Sequence, residues 1–99
     1  MDISQGLVKG YVDKVRQTAV KAQTGESAEF ISEKMKEVIN EAHQHFSIWI
    51  NGTPEENWRL FIGQINFTAS LKGDERFIEA LKFAVTIAKN MHPPKRSEK

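Results

Sequence analysis

Apolar residues recur along this chain at the three- and four-residue spacing that is typical of amphipathic helices. The pattern predicts helices over about residues 3–22, 28–50, 54–71 and 75–91, separated by short segments rich in turn and capping residues. Helices of this length joined by short connections run antiparallel to their sequence neighbours. The pattern therefore predicts an all-α fold, an antiparallel up-down-up-down four-helix bundle. Helical hairpins closed by homodimerisation are the alternative architecture.

The clearest helix boundary lies at residues 51–56. Asn51-Gly52 suits a left-handed helix end, while Thr53 supplies an N-cap hydroxyl and Pro54 suits the first helical position. Glu56 stands at the capping-box position of the helix that follows. Residues 46–50, just before this boundary, are β-branched and aromatic, so a short strand is an alternative there. We predict a helix, because these residues continue the apolar stripe of the second helix.

The amino-acid composition limits the classes of protein to which this chain could belong. The chain has 99 residues, of which 39% are hydrophobic and 27% charged, which predicts one globular domain over residues 1–92. Residues 93–99 carry three basic residues and one acidic residue, and we predict a flexible basic tail there. The chain lacks cysteine, and its first ten residues show no apolar segment of the kind found in signal peptides. These features predict a cytoplasmic protein without a membrane partner.

Few residues suggest catalysis or metal binding. His43 and His45 are two residues apart, so a continuous helix directs their side chains away from each other. Glu41 and His45 share a helix face and could provide two metal ligands, but a row of Glu and His is also typical of a solvated helix face, which is our interpretation. Catalytic and phosphate-binding motifs are absent from the sequence. We therefore predict no metal, no cofactor, no small-molecule substrate and no enzymatic activity.

The most informative pattern is an excess of apolar residues on the third and fourth helices. On the third helix, Trp58, Phe61 and Ile65 form the stripe expected to face the core. A second apolar row lies on the opposite side of this helix, and apolar residues also cover more than half the circumference of the fourth. Internal burial would explain the second row, but contiguous exposed apolar residues mark interaction sites. The predicted partner-binding residues are Leu60, Phe67, Leu71, Phe83 and Ile87.

Two functional hypotheses follow from these patterns. The first is a small non-enzymatic protein-interaction module, of regulator, adaptor or inhibitor type, that binds itself as a homodimer or binds another protein through the apolar row. The second is a nucleic-acid-binding accessory protein that uses basic residues of the first helix and of the tail, namely Lys9, Arg16, Lys95 and Arg96. The net charge of +1 gives no support for nucleic-acid binding by the protein as a whole.

Overall fold

Four α-helices make up most of the chain in the computed structural model, which describes residues 3–49 and 52–96. Helix α1 spans Ile3–Gln23, α2 spans Ala28–Ile48, α3 spans Pro54–Ala69 and α4 spans Glu75–Asn90. No strand occurs among the described residues. The predicted all-α four-helix bundle is confirmed, and residues 46–48 belong to α2 rather than to a short strand.

Each of the last three helices begins directly after a residue whose side chain caps it. The Ser27 hydroxyl accepts the Phe30 amide at 3.1 Å, and the Thr53 hydroxyl accepts the Glu56 amide at 3.2 Å. The Asp74 carboxylate accepts two amides in the first turn of α4. These side chains satisfy backbone donors that have no partner within the helix, which fixes where each helix starts.

The helix ends differ from the prediction by one or two residues. Helix α2 stops at Ile48 because Trp49 is extended, and Gly52 supplies the left-handed backbone of the connection with φ 76°. Ile50, the last residue of the predicted second helix, and Asn51 lie outside the described residues. Helix α3 ends at Ala69, and the Ser70 hydroxyl donates to the carbonyl of Phe67 at 2.6 Å. A side chain that bonds the last carbonyls in this way favours termination of the helix.

The four helices form a flattened bundle. All helix pairs are in contact, but α2 and α3 touch each other least, whereas α1 and α4 pack closely. The cross-section is therefore a rhombus with α1 and α4 on its short diagonal. Two opposite sides of this rhombus are the α1–α3 side and the α2–α4 side, and each of them forms a surface groove.

Apolar stripes from all four helices meet in one core. On α3, Trp58, Phe61 and Ile65 are at most 1% exposed, as the sequence predicts. Phe46 of α2 packs edge-on against Trp58 and Phe61, with ring centroids 6.0 and 5.6 Å apart. Aromatic residues thus fill the end of the bundle where α2 connects to α3. The fully buried apolar residues of the other helices include Val8, Val15, Ala19, Met35, Ile39, Ala42, Leu81, Ala84 and Ala88.

The first part of the predicted flexible tail is anchored to the bundle. Pro94 is fully buried, and the Arg96 guanidinium donates to the carbonyls of Trp49 at 2.9 Å and Gly52 at 2.6 Å. Residues 93–96 therefore lie against the α2–α3 connection, because a single guanidinium satisfies two of its carbonyls. The remainder of the predicted tail, residues 97–99, lies outside the described residues.

Candidate interaction surfaces

A groove between α1 and α3 contains two of the predicted partner-binding residues. Leu60 and Phe67 lie on the side of α3 that faces away from the core, and they are 39% and 67% exposed. Val12 of α1 contributes a buried apolar side chain to the same groove, whose volume is about 650 Å³. The second apolar row of α3 is thus at the surface of the chain and is not covered by it.

Basic side chains flank these apolar residues. Lys9 and Arg16 of α1 and Arg59 of α3 line the groove, and Asp13 is its one carboxylate, so three positive charges against one negative give a formal +2. Within residues 3–49 and 52–96, none of the three cations belongs to an ion pair. They are therefore available to a negatively charged ligand.

Gly63 leaves the middle of the groove open. It lies inside α3 between Leu60 and Phe67, where glycine destabilises a helix by up to about 1 kcal/mol relative to alanine. A Cβ atom built at this position would meet no atom within 4 Å, so packing does not require glycine. The missing side chain leaves the helix backbone accessible between the two exposed apolar residues.

The other predicted partner-binding residues lie elsewhere. Leu71 follows the end of α3 and is 52% exposed. Phe83 and Ile87 are partly buried and pack against the core, and Phe83 lines a separate hollow between α2 and α4. The structure therefore brings Leu60 and Phe67 together in one groove and sets Phe83 apart from them.

The residues predicted for nucleic-acid binding are also divided. Lys9 and Arg16 lie in the α1–α3 groove, whereas Lys95 and Arg96 are not among its lining residues. Both terminal nitrogens of Arg96 donate to backbone carbonyls in the tail contact. Lys95 is exposed. Only the two α1 residues of this set share a surface with the apolar row.

The histidines take part in structural contacts. The Nε2 atom of His43 donates to the carbonyl of His92 at 2.8 Å, and its ring packs edge-on against Trp58. His45 does not lie on a fully solvated face as the sequence suggests; it is partly buried, and its Nδ1 atom is 2.9 Å from the Tyr11 hydroxyl. Among the described residues, no group of three or more His, Asp or Glu side chains is arranged to hold a metal ion.

The hydroxyl of Tyr11 has a raised pKa. Burial raises the pKa of Tyr11 above its ordinary value of 10.0, and the nearby Glu41 carboxylate raises it further, while Lys14 opposes the shift. Lys14 and Glu41 also pair with each other at 3.3 Å. The hydroxyl is therefore neutral at physiological pH, which suits a structural contact with His45 rather than proton transfer.

Sequence reasoning missed two residues of the groove. Arg59 appears in the sequence as an isolated basic residue, and its proximity to Lys9 and Arg16 follows only from the packing of α3 beside α1. Gly63 left a signal, because it interrupts a helical pattern without terminating it. A glycine inside a predicted helix, between two residues of an unexplained apolar row, is therefore the signal that could have drawn attention to this position.

Comparisons with protein-family models, with curated proteins and with solved structures each give no match. In the part of the chain that the structure describes, no helix is both long enough and apolar enough to cross a bilayer. A functional assignment therefore depends on the chemistry of the surfaces described above.

Proposed function

We propose that this chain is a non-enzymatic protein-interaction module and that the α1–α3 groove is its binding surface. One observation carries the proposal: the exposed side chains of Leu60 and Phe67 flank the open backbone at Gly63, between cations without ion-pair partners in the described chain. Exposed aromatic residues next to arginine are the composition of interface hot spots. Regulator, adaptor and inhibitor are the roles that such a module fills.

The partner is an amphipathic helix with an apolar stripe bordered by carboxylates. A groove between two neighbouring helices accepts a third helix along its length, with apolar residues at helical spacing as anchors. Burial of the exposed part of Leu60 contributes on the order of 0.5 to 1 kcal/mol, and burial of the exposed part of Phe67 on the order of 1 to 2 kcal/mol. Carboxylates opposite Lys9, Arg16 and Arg59 add orientation and accelerate association more than they add affinity.

A pair of synthetic peptides tests this proposal. Both are helical, about 18 residues long, and carry the same leucine stripe; one has glutamate and the other lysine beside the stripe. The measurement is the fluorescence anisotropy of each labelled peptide as the protein is added. We expect the acidic peptide to bind about tenfold or more tightly than the basic one, and we expect added salt to reduce the difference.

Two variants separate binding from folding. Gly63→Leu places a side chain in the open part of the groove, where an added Cβ meets no atom within 4 Å, and leucine is a better helix former than glycine. It should retain or increase the free energy of unfolding and lose the acidic peptide. Phe67→Ser should weaken peptide binding about tenfold or more, because it removes the largest exposed side chain of the groove. Unchanged peptide affinity in both variants would refute the groove as the binding surface.

The alternative function is nucleic-acid binding. The three cations of the groove also favour it, because none of them forms an ion pair within the described residues. It predicts that a DNA or RNA oligonucleotide binds and that its affinity falls steeply with salt. Arg16→Glu combined with Arg59→Glu removes two of these cations and should abolish that binding. Gly63→Leu leaves all the charges in place, so oligonucleotide binding that survives this variant would favour the alternative over a helical partner.

A further inference from the structure

A second surface has the chemistry expected of the partner. The hollow between α2 and α4 has a volume of about 590 Å³, and its floor is apolar, with Ile31, Ala80 and Phe83 among its lining residues. Glu26, Glu75, Glu79 and Arg76 also line it, so three negative charges against one positive give a formal −2. The hollow thus shares with the proposed helical partner the combination of apolar residues and neighbouring carboxylates.

Glu79 and Glu26 are the main carboxylates of this hollow. The positive ends of α2 and α4 lie beside it and offset part of its negative charge, most strongly for Glu75 in the first turn of α4. Glu79 lies one turn further along α4, and Glu26 precedes α2 in the connection from α1. Both are exposed, so they can meet cations of another molecule.

The groove and the hollow lie on opposite sides of the bundle. The groove follows the α1–α3 side of the rhombus and the hollow follows the α2–α4 side. Their formal charges are +2 and −2, and each has apolar residues between its charged ones. Phe67 of the groove is 67% exposed, so another molecule can contact it. The two surfaces are thus complementary in charge.

We propose that copies of this chain associate head to tail, with the groove of one copy against the hollow of the next. Phe67 of one copy enters the hollow beside Phe83 of the neighbouring copy, and Arg16 and Arg59 face Glu26 and Glu79. This inference rests on the proposed function, because it names a second copy of the chain as a partner of the α1–α3 groove. A contact between two different surfaces does not close into a two-fold dimer, so it adds copies in a row or a ring.

A two-fold dimer through the groove is disfavoured by charge. It would bring Lys9, Arg16 and Arg59 of both copies to one interface, with a single Asp13 from each to offset them. Like charges opposite each other destabilise an interface. The head-to-tail contact instead places opposite charges together.

Two charge-reversal variants and their mixture test this arrangement by sedimentation velocity. The groove variant carries Arg16→Glu with Arg59→Glu, and the hollow variant carries Glu26→Lys with Glu79→Lys. Lys82→Glu with Lys89→Glu is the matched control, because these lysines are exposed on α4 and line neither surface. Circular dichroism and urea denaturation check that every variant retains the fold.

The unmodified protein and the control should increase in average mass with concentration, beyond a dimer, up to about 1 mM. Each charge-reversal variant alone should be monomeric, since its two surfaces then carry charge of the same sign. The equimolar mixture should associate again, because the unchanged groove of one variant matches the unchanged hollow of the other. Phe67→Ser should also be monomeric.

Several results would overturn the inference. The first two concern the unmodified protein: its average mass does not rise beyond that of a dimer, or it stays monomeric at every concentration. The other two concern the variants: the hollow variant associates like the unmodified protein, or the equimolar mixture stays monomeric. If the acidic peptide still binds the groove in any of these cases, only head-to-tail association is refuted. If the peptide also fails to bind, the proposed function fails as well.

Discussion

Two phenylalanines on opposite faces of α3 allow the same substitution to be compared in two environments. Phe61 is 0% exposed, and its ring centroid lies 5.6 Å from that of Phe46 and 5.3 Å from that of Trp58. Phe67 is 67% exposed and stands in the α1–α3 groove. Replacing each by alanine therefore removes the same atoms from a packed core and from an open surface.

The expected losses of stability differ several-fold. Phe61→Ala leaves a cavity in the aromatic end of the bundle and should reduce the free energy of unfolding by about 3 to 5 kcal/mol. Phe67→Ala gives up roughly a third of a side-chain burial worth about 1.5 to 3 kcal/mol, a loss of at most about 1 kcal/mol. Alanine has a higher helix propensity than phenylalanine, which offsets a few tenths of a kcal/mol of the loss in the free energy of unfolding. The net loss at Phe67 should be about 0.5 kcal/mol.

Urea denaturation followed by circular dichroism measures both losses. The protein is held at low micromolar concentration, because association stabilises the native state and would add to the apparent effect at Phe67. A loss above about 2 kcal/mol for Phe67→Ala under these conditions would show that this side chain is part of the core. A loss below about 1 kcal/mol for Phe61→Ala would show that the aromatic end is not packed as described.

The remaining predictions concern Tyr11 and the anchored tail. Tyr11 is the single tyrosine of the chain, so its ultraviolet absorbance titration should give a pKa above 10.0 in the folded protein and about 10 in guanidinium. As the pH rises, the Tyr11 hydroxyl then loses its proton in the unfolded chain before it does so in the folded protein, so the free energy of unfolding should fall above about pH 10. A pKa of Tyr11 at or below 10 in the folded protein would contradict the burial of its hydroxyl. Arg96→Ala should reduce the free energy of unfolding by about 1 kcal/mol, because two carbonyls lose a charged donor. Lys95→Ala, its exposed neighbour, should change it by less than about 0.5 kcal/mol, and equal losses in the two variants would argue against the anchored tail.

Local signals in the sequence predict the helix starts and the core. Ser27, Thr53 and Asp74 act within their own first turns, so short-range chemistry is sufficient to locate them. The buried stripe of α3 was predictable because helical periodicity alone separates Trp58 and Phe61 from the far side of the helix. The helix ends were less predictable, since they depend on competing bonds such as that of the Ser70 hydroxyl.

Contacts between distant segments could not be predicted in this way. Which helices are neighbours in the rhombus decides whether Arg59 joins Lys9 and Arg16 in one groove, and the periodicity of each helix carries no such information. Likewise, the contact of Tyr11 with His45 joins residues 34 positions apart. The sequence identifies Leu60 and Phe67 as unexplained apolar residues, but their charged surroundings depend on the fold.

The most direct test of the α1–α3 groove is a two-dimensional ¹H–¹⁵N NMR titration of the protein with the acidic leucine-stripe peptide. We expect the amide signals of Leu60, Gly63 and Phe67 to shift most, while that of Gly73, in the connection between α3 and α4, stays in place. Gly63→Leu should remove these shifts without unfolding the protein. Shifts concentrated at the aromatic end of the bundle, or absent from Gly63, would contradict the assignment of the groove as the binding surface.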